Sequence, residues 1–256
     1  MSSSSPPAGG SPPGRRGAPR AYRLPLFESR QETPSVMTFR FDLEGQRLDY
    51  EPGQYVSLAL PDSAGPEGQH SFTLSSSPTE EGAIAITTRI TGSAFKARLG
   101  SLKRGETVNV RGPFGRFTLE AGRPSVMAAG GIGITPFRSM LRFTADTGSA
   151  QRIDLLYSSG TVEEIVFRAE LESLAGRIES LTVEETVTRP EPAASFWQGR
   201  TGRIDAPMLA RAAGQLSRPL HYVCGPPGFV SGIRATLRED VGVADEDVRF
   251  EEFPGY

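Results

Sequence analysis

The sequence of 256 residues predicts two domains: a small antiparallel barrel or sandwich over residues 21–121, then an α/β domain with a parallel sheet over residues 122–256. Two patterns carry this reading. From Ala21 to about Leu119, short strand-like stretches alternate with Gly, Pro and Ser punctuation at regular intervals, the mark of an antiparallel barrel or sandwich. After Ala121 apolar strands alternate with helical stretches, and that alternation builds a parallel sheet covered on both faces. The stretch Ser125–Arg142, SVMAAGGIGITPFRSMLR, opens the second half and organises it.

Bulk properties exclude several classes. The formal charge is −2, from 28 basic and 30 acidic residues, and no basic run or acidic tail marks a nucleic-acid partner. Cys224 is the one cysteine, and His70 and His221 are the two histidines. The chain therefore makes no intramolecular disulfide, cysteine-ligated iron–sulfur cluster or Cys/His zinc site, and no metal is expected. No stretch reaches the roughly 20 apolar residues of a membrane span. Residues 1–20 are rich in Ser, Pro and Gly, lack the apolar core of a secretory signal, and read as a disordered tail. A cytoplasmic protein is the expectation.

In chain order, strands are expected at Ala21–Glu28, Val36–Leu43, Tyr55–Leu60, Ser71–Leu74, Ala83–Arg89 and Thr107–Arg111, with a short helical turn at Ala94–Leu99. The run Ser75-Ser76-Ser77-Pro78 is expected to leave the sheet, and Gly112-Pro113-Phe114-Gly115 to form a tight turn. In the second half, strand Ser125–Ala129 leads to helix Pro136–Thr147, and Ile153–Tyr157 to Ile165–Leu174. Ile178–Glu184 leads through a Pro-rich loop to helix Ala206–Ala213, and Leu220–Val223 through Gly225-Pro226-Pro227-Gly228 to helix Phe229–Glu239. Val248–Glu252 is the last strand. Ligands on such sheets sit outside the carboxyl ends of the strands.

The turn Gly130, Gly131, Gly133 lies at such an end. Glycines admit positive φ and remove the Cβ atoms that would hold a ligand off the backbone. Thr135 suits an N-cap and Pro136 the first helical position, and bare amides at a helix N-terminus attract phosphate. The pattern G-x-G-x-x-P lacks the third glycine of the dinucleotide fingerprint and the Gly-Lys-Ser/Thr of the ATP-type loop, and a plain strand–turn–helix fits it equally. Two further segments bear polar chemistry. His70-Ser71-Phe72-Thr73-Leu74-Ser75-Ser76-Ser77-Pro78 offers hydroxyls and an aromatic at a strand end, for a polar ring edge or phosphate or simply as a Ser-rich cap. Thr91-Gly92-Ser93-Ala94 is a possible anion nest.

From about Tyr22 to the C-terminus the chain resembles the ferredoxin–NADP reductase superfamily. Pro52-Gly53-Gln54-Tyr55, His70-Ser71-Phe72-Thr73, Gly112-Pro113-Phe114-Gly115, Gly131-Ile132-Gly133-Ile134-Thr135-Pro136 and Cys224-Gly225-Pro226-Pro227-Gly228 match five family marks in order. Glu251-Glu252-Phe253 is similar to the family's terminal E-x-aromatic. The resemblance implies an antiparallel Greek-key β-barrel that binds FAD, followed by an α/β parallel-sheet domain that binds NADH or NADPH. It implies an FAD-dependent NAD(P)H oxidoreductase in which hydride passes from the nicotinamide to flavin N5. By position, Phe72 lies against the flavin or its ribityl chain, Thr73 near N5 and His70 by the phosphates, with Ser71 among the cofactor-binding residues. Gly92 and Ser93 contact the pyrophosphate, which favours FAD over FMN. Gly131, Gly133, Thr135 and Pro136, with Gly225 and Pro226, cradle the dinucleotide. Cys224 lies near the nicotinamide, Glu251 sets the local polarity, and Phe253 or Tyr256 shields the flavin face. Thr73, Cys224 and Glu251 are the catalytic candidates.

His70 replaces the usual arginine, which would always be charged and fork onto phosphate. Cys224 also reads as a buried small hydrophobe, and His221 as structural. The loop Ser158-Ser159-Gly160-Thr161 has no arginine for a 2′-phosphate, which leans toward NADH, whereas Thr188-Arg189, Arg200 and Arg203 speak for NADPH. The electron acceptor is expected to be a separate carrier protein such as a ferredoxin or flavodoxin. The alternatives are a reductase of free flavin or ferric chelates, and a flavin-binding electron-transfer subunit of a larger complex.

Overall fold

The computed structural model describes residues 18–61, 68–190, 197–214 and 216–253. Six antiparallel strands form the first half: β1 (Arg20–Thr33), β2 (Val36–Asp42), β3 (Tyr55–Ala59), β4 (Gln69–Thr73), β5 (Ala83–Arg89) and β6 (Thr107–Phe114). Their order is β4-β3-β6-β1-β2-β5, and a bridge from Leu74 to Ile86 joins the two outer strands, closing the sheet. β1 makes this possible. Its first half pairs with β6 and its second half with β2, with an irregularity between Leu26 and Glu28 where the strand changes partner. Alternate residues such as Leu24, Phe39, Phe41, Leu58, Ile84 and Val110 point inward and are buried, as period-two patterning requires.

The second half is a six-stranded parallel sheet, β10-β9-β8-β7-β11-β12, made of β7 (Ser125–Gly130), β8 (Ile153–Ser159), β9 (Leu181–Val187), β10 (Arg200–Thr201), β11 (Leu220–Gly225) and β12 (Val248–Glu252). Every residue of β7, β8 and β11 is buried, because helices cover both faces. Met127 and Ala129 pack with Phe137 and Leu171 on one face, and Val126 and Ala128 with Met208 and Val230 on the other. The helices are α2 (Ile134–Thr147), α3 (Arg168–Arg177), α4 (Ala206–Gly214) and α5 (Pro227–Thr236); α1 (Ala94–Gly100) belongs to the barrel. Among the described residues no helix is long and apolar enough to cross a membrane.

Several expectations need correction. The helix after the glycine turn starts earlier than Pro136. Gly131–Gly133 already forms a 3-10 turn, α2 begins at Ile134, and Gly133 stands at the cap position with no side-chain bond. Thr135 is therefore not the N-cap, and its hydroxyl donates back to the Ile132 carbonyl at 3.1 Å. Gly112-Pro113-Phe114 is not a turn but the end of β6; a Cβ on Gly112 would meet Val56 Cγ1 at 2.8 Å, so glycine permits the close approach of β3. The chain turns at Gly115, with φ +97°. Ser75 does not leave the sheet cleanly, since its amide donates to Ala85 at 2.8 Å. Helix α3 and strand β9 lie three residues later than expected, because Phe167 takes a left-handed conformation (φ 63°) and Ile165–Phe167 is spent as buried loop. β10, inside the expected Pro-rich loop, was missed because two exposed residues carry no periodicity. Arg20 pairs with Gly112 in β1, one residue inside the expected tail.

Candidate active site

Two of the sequence marks meet where the domains join. Gly53 has φ +100°, and a Cβ there would strike the Phe117 carbonyl oxygen at 2.2 Å and Met140 Cε at 2.5 Å. Gln54 next to it accepts the Glu51 amide at 2.9 Å and donates to the Gly115 carbonyl at 3.2 Å. Pro52-Gly53-Gln54-Tyr55 and Gly112-Pro113-Phe114-Gly115 thus form one structural unit, closed by the Tyr55 and Phe114 rings with centroids 5.6 Å apart. Phe117 carries the unit into the second domain, with its ring 5.8 Å from Phe137 and 5.6 Å from Tyr222.

A groove of about 420 Å³ opens above this unit. The barrel contributes His70, Phe72 and Thr73 from β4, Thr88 and Arg89 from β5, and Lys96 from α1. The parallel sheet contributes Ile132 and Thr135 after β7, Glu251 and Glu252 from β12 and Phe253 just after it, all at the carboxyl ends of its strands. Along β4 the groove passes from exposed His70 and Ser71 to buried Phe72 and Thr73. The Phe72 ring lies nearly parallel to Phe95 at 6.1 Å, and the His70 ring is 4.0 Å from that of Phe95. This is one long slot with an apolar wall, a polar deep end and an open outer end.

The deep end is where the domains meet chemically. Thr73 of β4 and Glu251 of β12 approach closely enough for the hydroxyl to favour the ionised carboxylate. Yet Thr73 Oγ1 and Glu251 Oε2 are both buried without a hydrogen bond of good geometry. Burial raises the Glu251 carboxyl to a pKa of about 7, with the Thr73 hydroxyl opposing that shift. Unpaired buried polar atoms are costly, and here they face a groove rather than a packed core. A ring with a polar edge and two apolar faces fits this slot, which is the character of a flavin. The residues present therefore fit the group that the sequence implies.

The glycine turn has two distinct parts. Gly131 has φ +53° and nothing within 4 Å of where its Cβ would stand, so its outer side is open to a ligand. Gly133 is buried, and a Cβ on it would meet the Cys224 carbonyl oxygen at 2.2 Å. Its glycine is required by packing on β11. Thr135 and Pro136 are also buried, with Thr135 at the groove wall. Gly225 and Pro226 link β11 to α5, and Gly225 accepts the Phe253 amide at 3.0 Å, which holds Phe253 beside the groove. Cys224 does not line the groove. It is 0% exposed in the core beside Met127, and burial first, then the Glu251 charge, raises its thiol well above the ordinary value. Ser93 caps α1 by accepting the Lys96 amide at 3.2 Å, with Gly92 exposed beside it. Tyr256 lies outside the described residues. His221 is buried with both ring nitrogens unpartnered, and burial lowers its pKa to about 4, so it is a neutral core side chain.

Sequence reasoning missed Lys96 and the arginine network around the domain junction. Lys96 carried one signal: it is one of only two lysines among the 28 basic residues. Arg89 pairs with Glu164 at 3.6 Å and donates to Ser35 at 3.0 Å, linking β5 to the loop after β8. Glu164 also pairs with Arg189 at 3.3 Å, whose guanidinium stands where a Cβ on Gly160 would be. The loop after β8, which has no arginine of its own, thus receives one from the end of β9.

Two family models match the chain in this same division: the oxidoreductase FAD-binding domain over residues 23–119 and the oxidoreductase NAD-binding domain over residues 127–235. The chain is 33% identical over 242 residues to ferredoxin–NADP reductase B of Sorangium cellulosum, a match that covers 91% of this chain and 97% of that protein. The chain belongs to the ferredoxin–NADP reductase family. As a member it is an FAD-dependent NAD(P)H oxidoreductase with a barrel for the flavin and a parallel sheet for the nicotinamide cofactor. It is also 29% identical to the reductase subunit of stachydrine N-demethylase from Rhizobium meliloti, covering 80% of this chain. It spans 59% of the length of that relative. The cytochrome b5 reductase domain of Ulva prolifera nitrate reductase has the same fold, with a TM-score of 0.77 at 25% identity over 91% of this chain and 97% of that one.

Proposed function

We propose that this reductase delivers electrons from a nicotinamide cofactor to a separate carrier protein such as a ferredoxin or flavodoxin, and that the groove between β4 and β12 is its reaction site. One observation carries the second part: Thr73 Oγ1 and Glu251 Oε2, from different domains, are buried and unpartnered at the deep end of one slot. Phe72, Thr73, Glu251 and Phe253 would hold FAD here, and the cofactor would supply hydride acceptance from the nicotinamide and onward electron transfer. The chain supplies the surroundings. Phe72 offers an apolar face for the ring system, and Phe253 offers another from the opposite domain. Thr73 would present its hydroxyl to the polar edge of the ring, and Glu251, its pKa raised to about 7, would hold or give up a proton beside it.

His70 and Ser71 line the exposed end of the groove, and Gly92 and Ser93 stand exposed at the start of α1; these four are the residues assigned to the cofactor's phosphates. Gly131 leaves its side of the turn clear for the dinucleotide, and Thr135 lines the groove beside it, while Pro136 is buried in α2 and Gly225 and Pro226 join β11 to α5. Gly133 and Cys224 serve by packing β11 against the turn, which fixes the position of Gly131. The 256 residues contain one cysteine and so hold no cysteine-ligated iron–sulfur cluster themselves, which supports a separate acceptor. The cytoplasm, where the reduced nicotinamide pool is, is the proposed location.

Anaerobic titration of the FAD-loaded protein with NADH and with NADPH, read by flavin absorbance, tests this reading. Bleaching by either donor, followed by electron transfer to a ferredoxin or flavodoxin faster than to free flavin or ferric citrate, is the expected result. Faster reduction of free flavin or ferric citrate would make it a reductase of small acceptors. A fully loaded flavin that neither donor bleaches would leave a flavin-binding subunit that needs a partner.

A further inference from the structure

The flavin groove contains a cation with no counter-ion. Lys96 follows buried Phe95 on α1, and its ammonium lies 5.3 Å from the centroid of the Phe72 ring. Its two hydrogen-bond acceptors are both neutral: the Thr88 hydroxyl and, at 3.2 Å, the Arg89 carbonyl. An ammonium has three donors, so one N–H is left at the groove wall. No carboxylate pairs with Lys96 among the described residues. Arg89, the other strong base lining the groove, is already engaged by Glu164 and Ser35. Half-burial without a partner pushes the Lys96 pKa down to about 8. A charge held this way costs stability until an anion arrives.

The neighbouring position strengthens the case. His70, whose ring lies 4.0 Å from that of Phe95, is the β4 side chain at the exposed end of the groove, and an imidazole is not the permanently charged fork that an arginine would be. Lysine is a compact point charge on a flexible stem, able to meet a phosphate without the matched geometry that a guanidinium needs.

We propose that Lys96 is the cation that binds the diphosphate of FAD, taking over on α1 the charge that His70 does not supply on β4. The inference rests on the flavoprotein reading and names one residue within it. Its ligand chemistry is a phosphate ester attached to a flavin, and the ring itself is held by other groups.

The test compares FAD with riboflavin, which has the same ring and no phosphate. Binding of each to the full-length apoprotein is followed by quenching of flavin fluorescence for the parent and for Lys96→Met, Lys96→Gln and Lys96→Arg. The expected result is at least tenfold weaker FAD binding by Lys96→Met and Lys96→Gln, riboflavin binding within twofold of the parent, and FAD binding by Lys96→Arg within threefold. Thermal unfolding of the apoproteins should show both neutral variants melting at or above the parent, because an unpaired charge has been removed. FAD affinity unchanged in both neutral variants, or FAD and riboflavin weakened equally, would overturn the role of Lys96. A parent that binds neither flavin would overturn the flavoprotein reading itself, whereas a parent that binds FAD as well as its variants do overturns only the lysine.

Discussion

Arg138 of α2 forks onto Glu80 of the barrel, with Nη1 at 2.5 Å from Oε2 and Nη2 at 3.1 Å from Oε1, and the same guanidinium reaches Glu170 of α3 at 2.7 Å. It also donates to the Ser75 carbonyl at 2.8 Å. One side chain, 12% exposed, therefore ties the flavin barrel to two helices of the nicotinamide domain. Beside it, Ser139 donates to the Ser76 carbonyl at 2.6 Å and Thr79 to Asp146 at 2.7 Å.

Replacing Arg138 by Met leaves two half-buried carboxylates without their cation. We expect a loss of about 3 kcal/mol, the lower end of what breaking a buried ion pair costs, measured by urea unfolding. Adding Glu80→Gln should recover part of it. Burial raises the Glu80 carboxyl but Arg138 outweighs it, so its folded pKa lies below the ordinary 4.5. For Asp146, burial is likewise overcome by Arg177, Thr79 and Arg142, and its pKa falls from 3.8 to about 2. Both are depressed acids, so their contribution is full above pH 4.5 and lost as pH falls toward 2. Melting temperature followed from pH 6 to pH 2 should drop over this window and drop less in Glu80→Gln.

Glu251 behaves in the opposite sense. With a folded pKa of about 7 against an ordinary 4.5, the folded apoprotein holds a proton that the unfolded chain has released. Its contribution to apoprotein stability therefore falls as pH rises from 4.5 to 7. Glu251→Gln should be more stable than the parent at pH 8, by about 3 kcal/mol at most. The same variant should lose the inflection near pH 7 in the profile of reductase activity and turn over about a hundredfold more slowly.

The two glycines of the turn should fail differently. Gly133→Ala forces a Cβ against backbone that cannot move aside, and a loss of about 3 kcal/mol is expected, with flavin and nucleotide binding both weakened. Gly131→Ala meets open space and carries only the strain of φ +53°, about 1 kcal/mol. Its methyl enters the nucleotide's space, so KM for the nicotinamide cofactor should rise severalfold while FAD binding is unchanged. Chemical unfolding and steady-state kinetics separate the two.

Arg189 is exposed and shares Glu164 with Arg89 beside Gly160. A 2′-phosphate arriving at that loop competes with Glu164 for its guanidinium. Arg189→Ala is expected to lower kcat/KM for NADPH about tenfold and leave NADH unchanged, the loss of one charge-assisted contact. Equal effects on the two donors would assign the arginine to surface charge.

The division of the chain was legible in its order of residues because each half repeats one local period: two in the barrel strands, and strand then helix after Ser125. Thr73 and Glu251, named from the family marks, line one groove in the structure, and Gly131, named the same way, has open space on its outer side. The helix start was misread at Thr135 because a threonine followed by proline is a local cap signal, whereas the preceding glycines were already coiled. Phe167 displaced α3 for a similar reason, as a left-handed backbone leaves no mark in a hydrophobic run.

The sequence by itself determined the two folding units, the absence of cysteine-bound metal chemistry within the chain, and which short segments would gather at strand ends. Tertiary structure decided what those segments meet. Thr73 and Glu251 are separated by 178 positions, and only the packing of the barrel against the parallel sheet brings both to one groove with their polar atoms buried. Gly133 and Gly131 share one motif, but Cys224 behind the first and open space before the second give them separate tasks. Lys96 and Arg138 look like any surface cation in the sequence. Burial and partners distinguish them, and both are properties of contacts between residues distant in the chain.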